Sequence, residues 1–460
     1  MSFKTKNFSP IRKPLEGFYK ILFTIAVPII LQNLLQTFIN MMDTVMVGRL
    51  GSVEIAAVGL GNQIFFILTM VIFGISSGAS IFIAQFWGQQ DFKGIRKTFG
   101  IMISGCLAVA LVFGVFAILK PEFLIGIYTE DSAVIQKAAP YLRIVALSYP
   151  LMAVSSACQM AYRSTEHVIL PMVTTAVSFV LNVAGNSVFI FGVESLGIPA
   201  LGVRGAALAT LISRIVEFLI TVLYGWLRKF EATGTFREMT AFSRSFLLRI
   251  FKIALPVIFN ETLWGLGISV QNSIFSHTGT DSFAAFSITN TISQLTWVVF
   301  IGMGNAAAII LGKKIGAGEE KEAVLYTHRY CWFFPLMGLF IGLFLIPLSF
   351  IIPVIFNVEP HIVGIAQTML YVLVFMYPWR AFNMLLIVGI CRSGGDTVFA
   401  SIIDSCWMWF VALPLGFVAS FKLGLPPYQI MLCLESEQVL KAICGVFRIK
   451  SGKWLHRITG

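Results

Sequence analysis

The sequence predicts an all-α integral membrane protein whose twelve transmembrane helices form two pseudo-symmetric six-helix bundles. Three observations carry this expectation. Of the 460 residues, 57% are hydrophobic and only 12% charged. The apolar residues collect into long continuous runs, and the second half of the chain repeats the first at a fixed spacing. A soluble domain carries roughly a quarter charged residues, and a chain with a mean hydropathy of +0.85 would aggregate in water. The composition therefore excludes soluble enzymes, nucleic-acid binders and secreted disulfide scaffolds.

A helix needs about 20 mostly apolar residues to cross the hydrocarbon. Such runs fall at about 19–46, 56–86, 99–119, 139–162, 171–191 and 203–227, and then, after a polar stretch at 228–249, at 250–275, 284–311, 326–350, 366–391, 398–421 and 428–447. They are long and unbroken, unlike the alternating ten-residue segments of a membrane β-barrel. The first run follows a basic stretch and has no small-residue cleavage site, so it reads as an uncleaved first helix rather than a signal peptide. The seven cysteines are scattered without CxxC or Cys/His spacing, which predicts buried thiols rather than a disulfide framework or zinc site.

Lys and Arg set the orientation. With the N-terminus inside, 24 of the 33 basic residues face the cytoplasm, among them Lys4, Lys6, Arg12, Lys13, Arg163 and Arg392. Only Arg49, Lys120, Lys137, Arg204 and Lys422 fall outside, and Arg143, Arg214, Arg380 and Lys441 fall within helices. The asymmetry predicts a multi-pass protein of the cell membrane with both termini cytoplasmic. It also accounts for the net charge of +11 without a nucleic-acid partner.

Shifted by 228 residues, the chain matches itself without a gap. Residues 25–88 against 253–316 give 15 identities in 64, including Pro28 with Pro256, Gly51 with Gly279, Asn62 with Asn290, Gly74 with Gly302 and Gly88 with Gly316. Aligned prolines and glycines set backbone shape, so shared apolar composition does not explain them. Six helices per repeat is an even number. The halves then enter the membrane from the same side, related by a pseudo-twofold axis along its normal. The expected organisation is an N-terminal lobe at 1–228, a cytoplasmic linker at 229–249 and a C-terminal lobe at 250–460. Two bundles around a cleft is the architecture of alternating access.

Several motifs occur in order along the chain: Gln36 and Asp43 on the first helix, Val47-Gly48-Arg49-Leu50-Gly51, Asn62-Gln63, Ala84-Gln85-Phe86-Trp87-Gly88-Gln89, Tyr162-Arg163-Ser164, Asn182 and Asn186 before Ile190-Phe191-Gly192, Gly205-Ala206-Ala207, and Gly389-Ile390-Cys391-Arg392-Ser393-Gly394-Gly395-Asp396-Thr397. Together they resemble the multidrug and toxic compound extrusion (MATE) family over nearly the whole chain. The resemblance implies an outward-facing V of two lobes exporting organic cations and other amphipathic compounds, driven by inward H⁺ or Na⁺. It implies no prosthetic cofactor, contact with lipid, and a monomer.

Polar groups inside the membrane cost at least about 2.5–3.5 kcal/mol for a charge at mid-bilayer, so each needs a reason. Asp43 and Gln36, two turns apart, share a face of the first helix. A carboxyl group in a low-dielectric cleft suits a proton gained and lost in each cycle, and the family's protonatable or Na⁺-binding helix-1 acid falls at Asp43; the alternative is an Asp solvated at the helix end. Asn182 and Asn186 lie one turn apart and can serve the same cavity with Thr210, or act as interhelical glue. In many relatives the second Asn is Asp, so Asn186 here removes a charge and argues against a multi-carboxylate Na⁺ site in this lobe. Glu261 in the second half has Asn33 as its repeat mate, while Asp43 has Gln271. Sodium-coupled relatives add an Asp on helix 10, where this chain shows Arg380, so Glu261 is expected either to bind cation in the cleft or to pair with Arg380. Pro28 and Pro256 are candidate hinges, because proline removes a backbone hydrogen bond and kinks a helix. Arg214 and Glu217 are expected to form an internal ion pair, and Arg163 and Arg392 to anchor loops at helix ends. Helix 12, with Glu435, Glu437 and Lys441, is expected to find its partners on neighbouring helices.

The five His form no HExxH or HxxxD pattern and no P-loop is present, so neither a membrane enzyme nor ATP-driven transport is expected. The runner-up function is a flippase for lipid-linked saccharides in the same superfamily. Such chains carry more cationic cavities, whereas Asp43 and Glu261 favour a cation. The missing second carboxylates favour H⁺ over Na⁺.

Overall fold

The computed structural model describes residues 17–350 and 358–459. The N-terminal basic residues Lys4, Lys6, Arg12 and Lys13 lie outside the described residues. Twelve long helical units occur: α1 (Phe18–Gly48), α2 (Ser52–Gln89), α3 (Phe92–Leu119), α4 (Ser132–Ala146 and Tyr149–Ser164), α5 (Ile169–Phe191) and α6 (Val203–Leu227) in the first half. In the second come α7 (Arg244–Ser276), α8 (Thr280–Gly316), α9 (Glu320–Ser349), α10 (Pro360–Arg392), α11 (Thr397–Lys422) and α12 (Pro427–Lys450). Ten are by themselves long and apolar enough to cross a membrane, and the two pieces of α4, bent by 49°, together make an eleventh. Helix α12 is less apolar because it carries Glu435, Glu437 and Lys441. Large apolar side chains such as Trp332, Phe344, Phe410 and Leu227 stand on the outside, as expected where lipid is the solvent.

The duplication is written in the helix boundaries. Advancing the starts of α2, α3, α4 and α5 (Ser52, Phe92, Ser132 and Ile169) by 228 gives the starts of α8, α9, α10 and α11 (Thr280, Glu320, Pro360 and Thr397). The turns before α2 and α8 both pivot on glycine, Gly51 at φ +145° and Gly279 at φ +110°, where a β-carbon would be strained. One difference between the halves lies in their fourth helices. Where Leu147 and Ser148 break α4, α10 runs straight through and ends in a π-helical segment, Leu385–Arg392.

The bundles touch through α1 against α8, α7 against α2, and α2 against α8. The contacts come in exchanged pairs. Gly74 on α2 packs against Ile258 on α7, and its mate Gly302 on α8 packs against Ile30 on α1, which is the mate of Ile258. Gly88 lies on the backbone of Lys313, and Gly316 on the backbone of Gln85, the mate of Lys313. Residue i meeting j while the mate of j meets the mate of i is the signature of a twofold interface. A side chain at any of these four glycines would collide with backbone or a packed isoleucine. All four lie in the half of α2 or α8 nearest the face on which both chain ends emerge, here the termini side. There Lys313 Nζ binds Glu166 Oε2 of the other lobe at 2.6 Å, and Trp87 Nε1 donates to the same oxygen at 3.1 Å. Gln85 donates to the carbonyls of Ser393 and His456 at 2.9 and 3.1 Å and accepts from the Ile458 N–H at 2.9 Å, stitching the end of the chain across the seam.

Both prolines singled out above sit inside continuous helices, Pro28 in α1 and Pro256 in α7. The Ser401 hydroxyl of α11 donates to the Pro256 carbonyl at 2.7 Å.

Candidate functional site

In the N-terminal lobe, α1, α5 and α6 bring four of the residues expected from sequence into one chain of hydrogen bonds. Asp43, 8% exposed, accepts through Oδ1 from the Asn186 amide at 2.5 Å. The same Asn186 nitrogen reaches Asn182 Oδ1 at 3.2 Å, and Asn182 donates to Thr210 Oγ1 at 3.4 Å. Asn182 and Asn186 are four residues apart, so both face the same neighbour from α5. Among the described residues Asp43 has no cationic partner within ion-pair distance. Two acceptors in this lobe, Asn186 Oδ1 and Gln32 Oε1, are buried with no hydrogen-bond partner among the described residues. A buried acceptor without a donor is costly; Asn383 Oδ1 and Glu437 Oε2 of the other lobe are left in the same way among the described residues.

Gln36 takes no part in that chain: it is half-buried and makes no hydrogen bond among the described residues. The amide that α1 contributes instead is Gln32, one turn earlier, which donates to Gln159 Oε1 at 2.8 Å and to Thr175 Oγ1 at 3.3 Å. Gln159 in turn donates to Glu217 Oε1 at 2.9 Å, and the other oxygen of Glu217 pairs with Arg214 at 2.7 Å, the expected internal ion pair. Gln32 was legible only through the repeat. Its mate is Asn260, and each is a buried amide on the first helix of its lobe.

The C-terminal lobe differs. Glu261 does not meet Arg380. It pairs with Arg392 instead, and Arg392 also donates to Ser77 Oγ of the other lobe at 3.1 Å. Arg392 is no loop anchor, being 4% exposed, because the π-helical end of α10 carries it into the bundle rather than out of it. Arg380 faces α12, where Glu435 accepts two of its N–H groups, from Nε at 2.7 Å and from Nη2. A two-pronged guanidinium–carboxylate pair is stronger than a single contact, which explains why Arg380 turns away from Glu261. Lys441 Nζ sits between Asp404 at 2.7 Å and Glu437 at 3.0 Å, and Asp404 also accepts from Asn260 at 3.0 Å. Each buried acid of this lobe therefore lies against a cation. Among the described residues, no group of three or more His, Cys, Asp or Glu is placed to hold a metal ion.

A duplicated twelve-helix membrane fold, closed on one side and holding in one lobe a buried carboxylate with no ion-pair partner among the described residues, defines a two-lobe transport protein. A family model described as MatE matches residues 28–188 and 256–418, two stretches whose starts are 228 residues apart. The chain is similar to a probable multidrug resistance protein, YoeA, of Bacillus subtilis, 27% identical over 86% of this chain and 85% of the relative. It is equally similar to the probable multidrug resistance protein NorM of Thermotoga maritima, 27% identical over 98% of this chain and 96% of that protein. Its fold is that of the Vibrio cholerae MATE transporter VcmN in the bent form, with a TM-score of 0.85 at 18% identity, covering 96% of this chain and 99% of that one. The chain belongs to the MatE family of multidrug efflux transporters.

Proposed function

We propose that this protein is a secondary active antiporter that exports organic cations and other amphipathic compounds by alternating access, coupled to inward movement of H⁺. The observation that carries this reading is Asp43, a buried carboxylate with no ion-pair partner among the described residues, hydrogen-bonded to the Asn186 amide, whose own Oδ1 lacks a donor. One site with those properties binds either a proton or an organic cation, and competition between the two is the simplest form of exchange. Na⁺ prefers several oxygen ligands including carboxylates, and Asn186 stands where a second carboxylate would serve it. Glu261 and Arg380, each matched by an opposite charge, are read as structural, while Gln36, Asn182, Asn186 and Thr210 line the path from Asp43. Pro28 and Pro256 would absorb bending of α1 and α7 as the lobes rock about the seam. The lobes are taken as residues 1–228 and 250–460, joined by 229–249. On this reading the protein works as a monomer in the cell membrane, surrounded by lipid, with the termini side facing the cytoplasm.

The test is uptake of a fluorescent organic cation into inside-out vesicles, with a pH gradient and a sodium gradient imposed separately. Uptake driven by the pH gradient alone is the expected result. Uptake that follows sodium and ignores pH overturns the choice of ion. If neither gradient moves the dye, the drug-export reading fails and a lipid-linked saccharide becomes the substrate to test.

A further inference from the structure

Between the two lobes, on the termini side, lies a small, partly open cavity of about 30 Å³. Its lining is itself duplicated: Ser77 and Asn305 are repeat mates, as are Ile81 and Ile309, and Met160 and Val388. The cavity therefore straddles the pseudo-twofold axis, between the glycine contacts at Gly74 and Gly302 and those at Gly88 and Gly316. Two arginines also line it, Arg163 from α4 and Arg392 from α10.

The hydrogen bonds of the lining leave an excess of donors. Ser80, Ser164 and Ser393 each donate to a backbone carbonyl of their own helix. Ser77 accepts from Arg392, so its own hydroxyl proton has no acceptor among the described residues. Asn305 makes no hydrogen bond among the described residues. Among the described residues Arg163 Nε is buried without a partner, and the only polar contact of its guanidinium there is Nη2 at 3.8 Å from the Met160 sulfur. The charges do not cancel either. Glu261 matches Arg392, no carboxylate lines the cavity, and Arg163 has no acid within ion-pair distance among the described residues. Arg163 is half-buried, and a guanidinium whose Nε is shut from solvent without a counter-charge is unfavourable.

We propose that this cavity is a binding site for a single small inorganic anion of chloride size, held by Arg163, the Ser77 hydroxyl and the Asn305 amide. A water needs about 10–15 Å³ measured this way, so the space suits one monatomic anion and excludes a nucleotide or a phosphorylated headgroup. Because the donors come from both lobes, the site exists only while the termini side is closed. The anion therefore stabilises that state, and parting the lobes divides the site and releases it. This does not depend on Asp43 or on the identity of the coupling ion.

The purified full-length protein in detergent is heated in chloride, titrated against gluconate at constant ionic strength. The expected result is a saturable rise in unfolding temperature for wild type. Arg163→Gln is expected to raise the apparent Kd for chloride at least about tenfold, with Arg163→Lys retaining part of the effect. No saturable chloride effect in wild type, or an equal effect in Arg163→Gln, overturns the proposal. Should Arg163→Gln fold poorly, wild-type crystals grown in bromide decide the matter. An anomalous peak between Arg163 and Asn305 supports the site, and a cavity holding only water refutes it.

Discussion

The two lobes share most helix starts, the turn glycines and the glycine contacts of their seam, and both pair buried acids with cations, Glu217 with Arg214 in the first, yet they differ at Asp43. In the C-terminal lobe Glu261, Asp404, Glu435 and Glu437 each lie against Arg or Lys, and the network reads as cross-bracing between α7, α10, α11 and α12. In the N-terminal lobe Asp43 meets only the amide of Asn186. Duplication supplied two similar scaffolds, and one of them holds a buried carboxylate with no ion-pair partner among the described residues. A charge already matched has little to gain from an arriving cation, whereas an unmatched one has much. On the proposed reading, transport coupling belongs to the N-terminal lobe and cross-bracing to the C-terminal one.

The largest expected effect breaks that comparison on the N-terminal side. Asp43→Asn keeps shape and hydrogen bonding but removes the charge, so gradient-driven dye uptake into inside-out vesicles falls to background while folded yield is unchanged. On the other side, Lys441→Met strands Asp404 and Glu437, and loss of one partner from a buried ion pair costs about 3–5 kcal/mol. It is expected to lower the unfolding temperature in detergent sharply, whereas Asp43→Asn leaves it nearly in place. Equal destabilisation by both would erase the distinction between the lobes. A subtler variant sharpens it. Asn186→Asp restores a second carboxylate beside Asp43 and should add a sodium-driven component to uptake that wild type lacks, measured with the pH gradient collapsed.

The smallest effect lies outside the membrane, in the segment joining the lobes. Glu238 closes a capping box on Phe236–Thr240 and pairs with Arg96 at 2.8 Å. The backbone hydrogen bond from Thr235, with further help from Arg96, holds its carboxyl below the usual range. A carboxyl group lowered by folding contributes stability that is present above its unfolded value and is lost as pH falls through the folded one. Glu238→Gln should therefore speed hydrogen exchange in residues 236–240 near neutral pH, match wild type once the pH is well into the acid range, and leave transport untouched.

Much of this was legible without coordinates because lipid is an exacting solvent. Backbone groups must be satisfied within each helix, so all the spans but the more polar α12 stand out as apolar runs, and the duplicated prolines and glycines mark the repeat. Asp43, Asn182, Asn186 and Thr210 stood out for the same reason, as polar groups that needed a partner. Which partner each acid takes was not legible. Glu261 was expected either to bind cation in the cleft or to pair with Arg380; it pairs with Arg392, a choice that depends on the rotation of α10 and on its π-helical end, and no spacing rule encodes either. Gln32 passed unnoticed as one amide in an apolar helix, although its mate Asn260 marks the same depth in the other lobe. The donor-rich cavity on the axis needs residues some 230 positions apart to meet, which only the folded chain reveals.

The central claim is that Asp43 exchanges a proton for an organic cation. Linkage is reciprocal, so a cation that binds in competition with a proton must expel one. The most direct measurement adds an organic cation to the purified protein in weakly buffered detergent and follows the pH. Acidification that saturates near about one proton per molecule in wild type and vanishes in Asp43→Asn is the predicted result. Equal proton release by the two proteins, or cation binding with none in wild type, would contradict it.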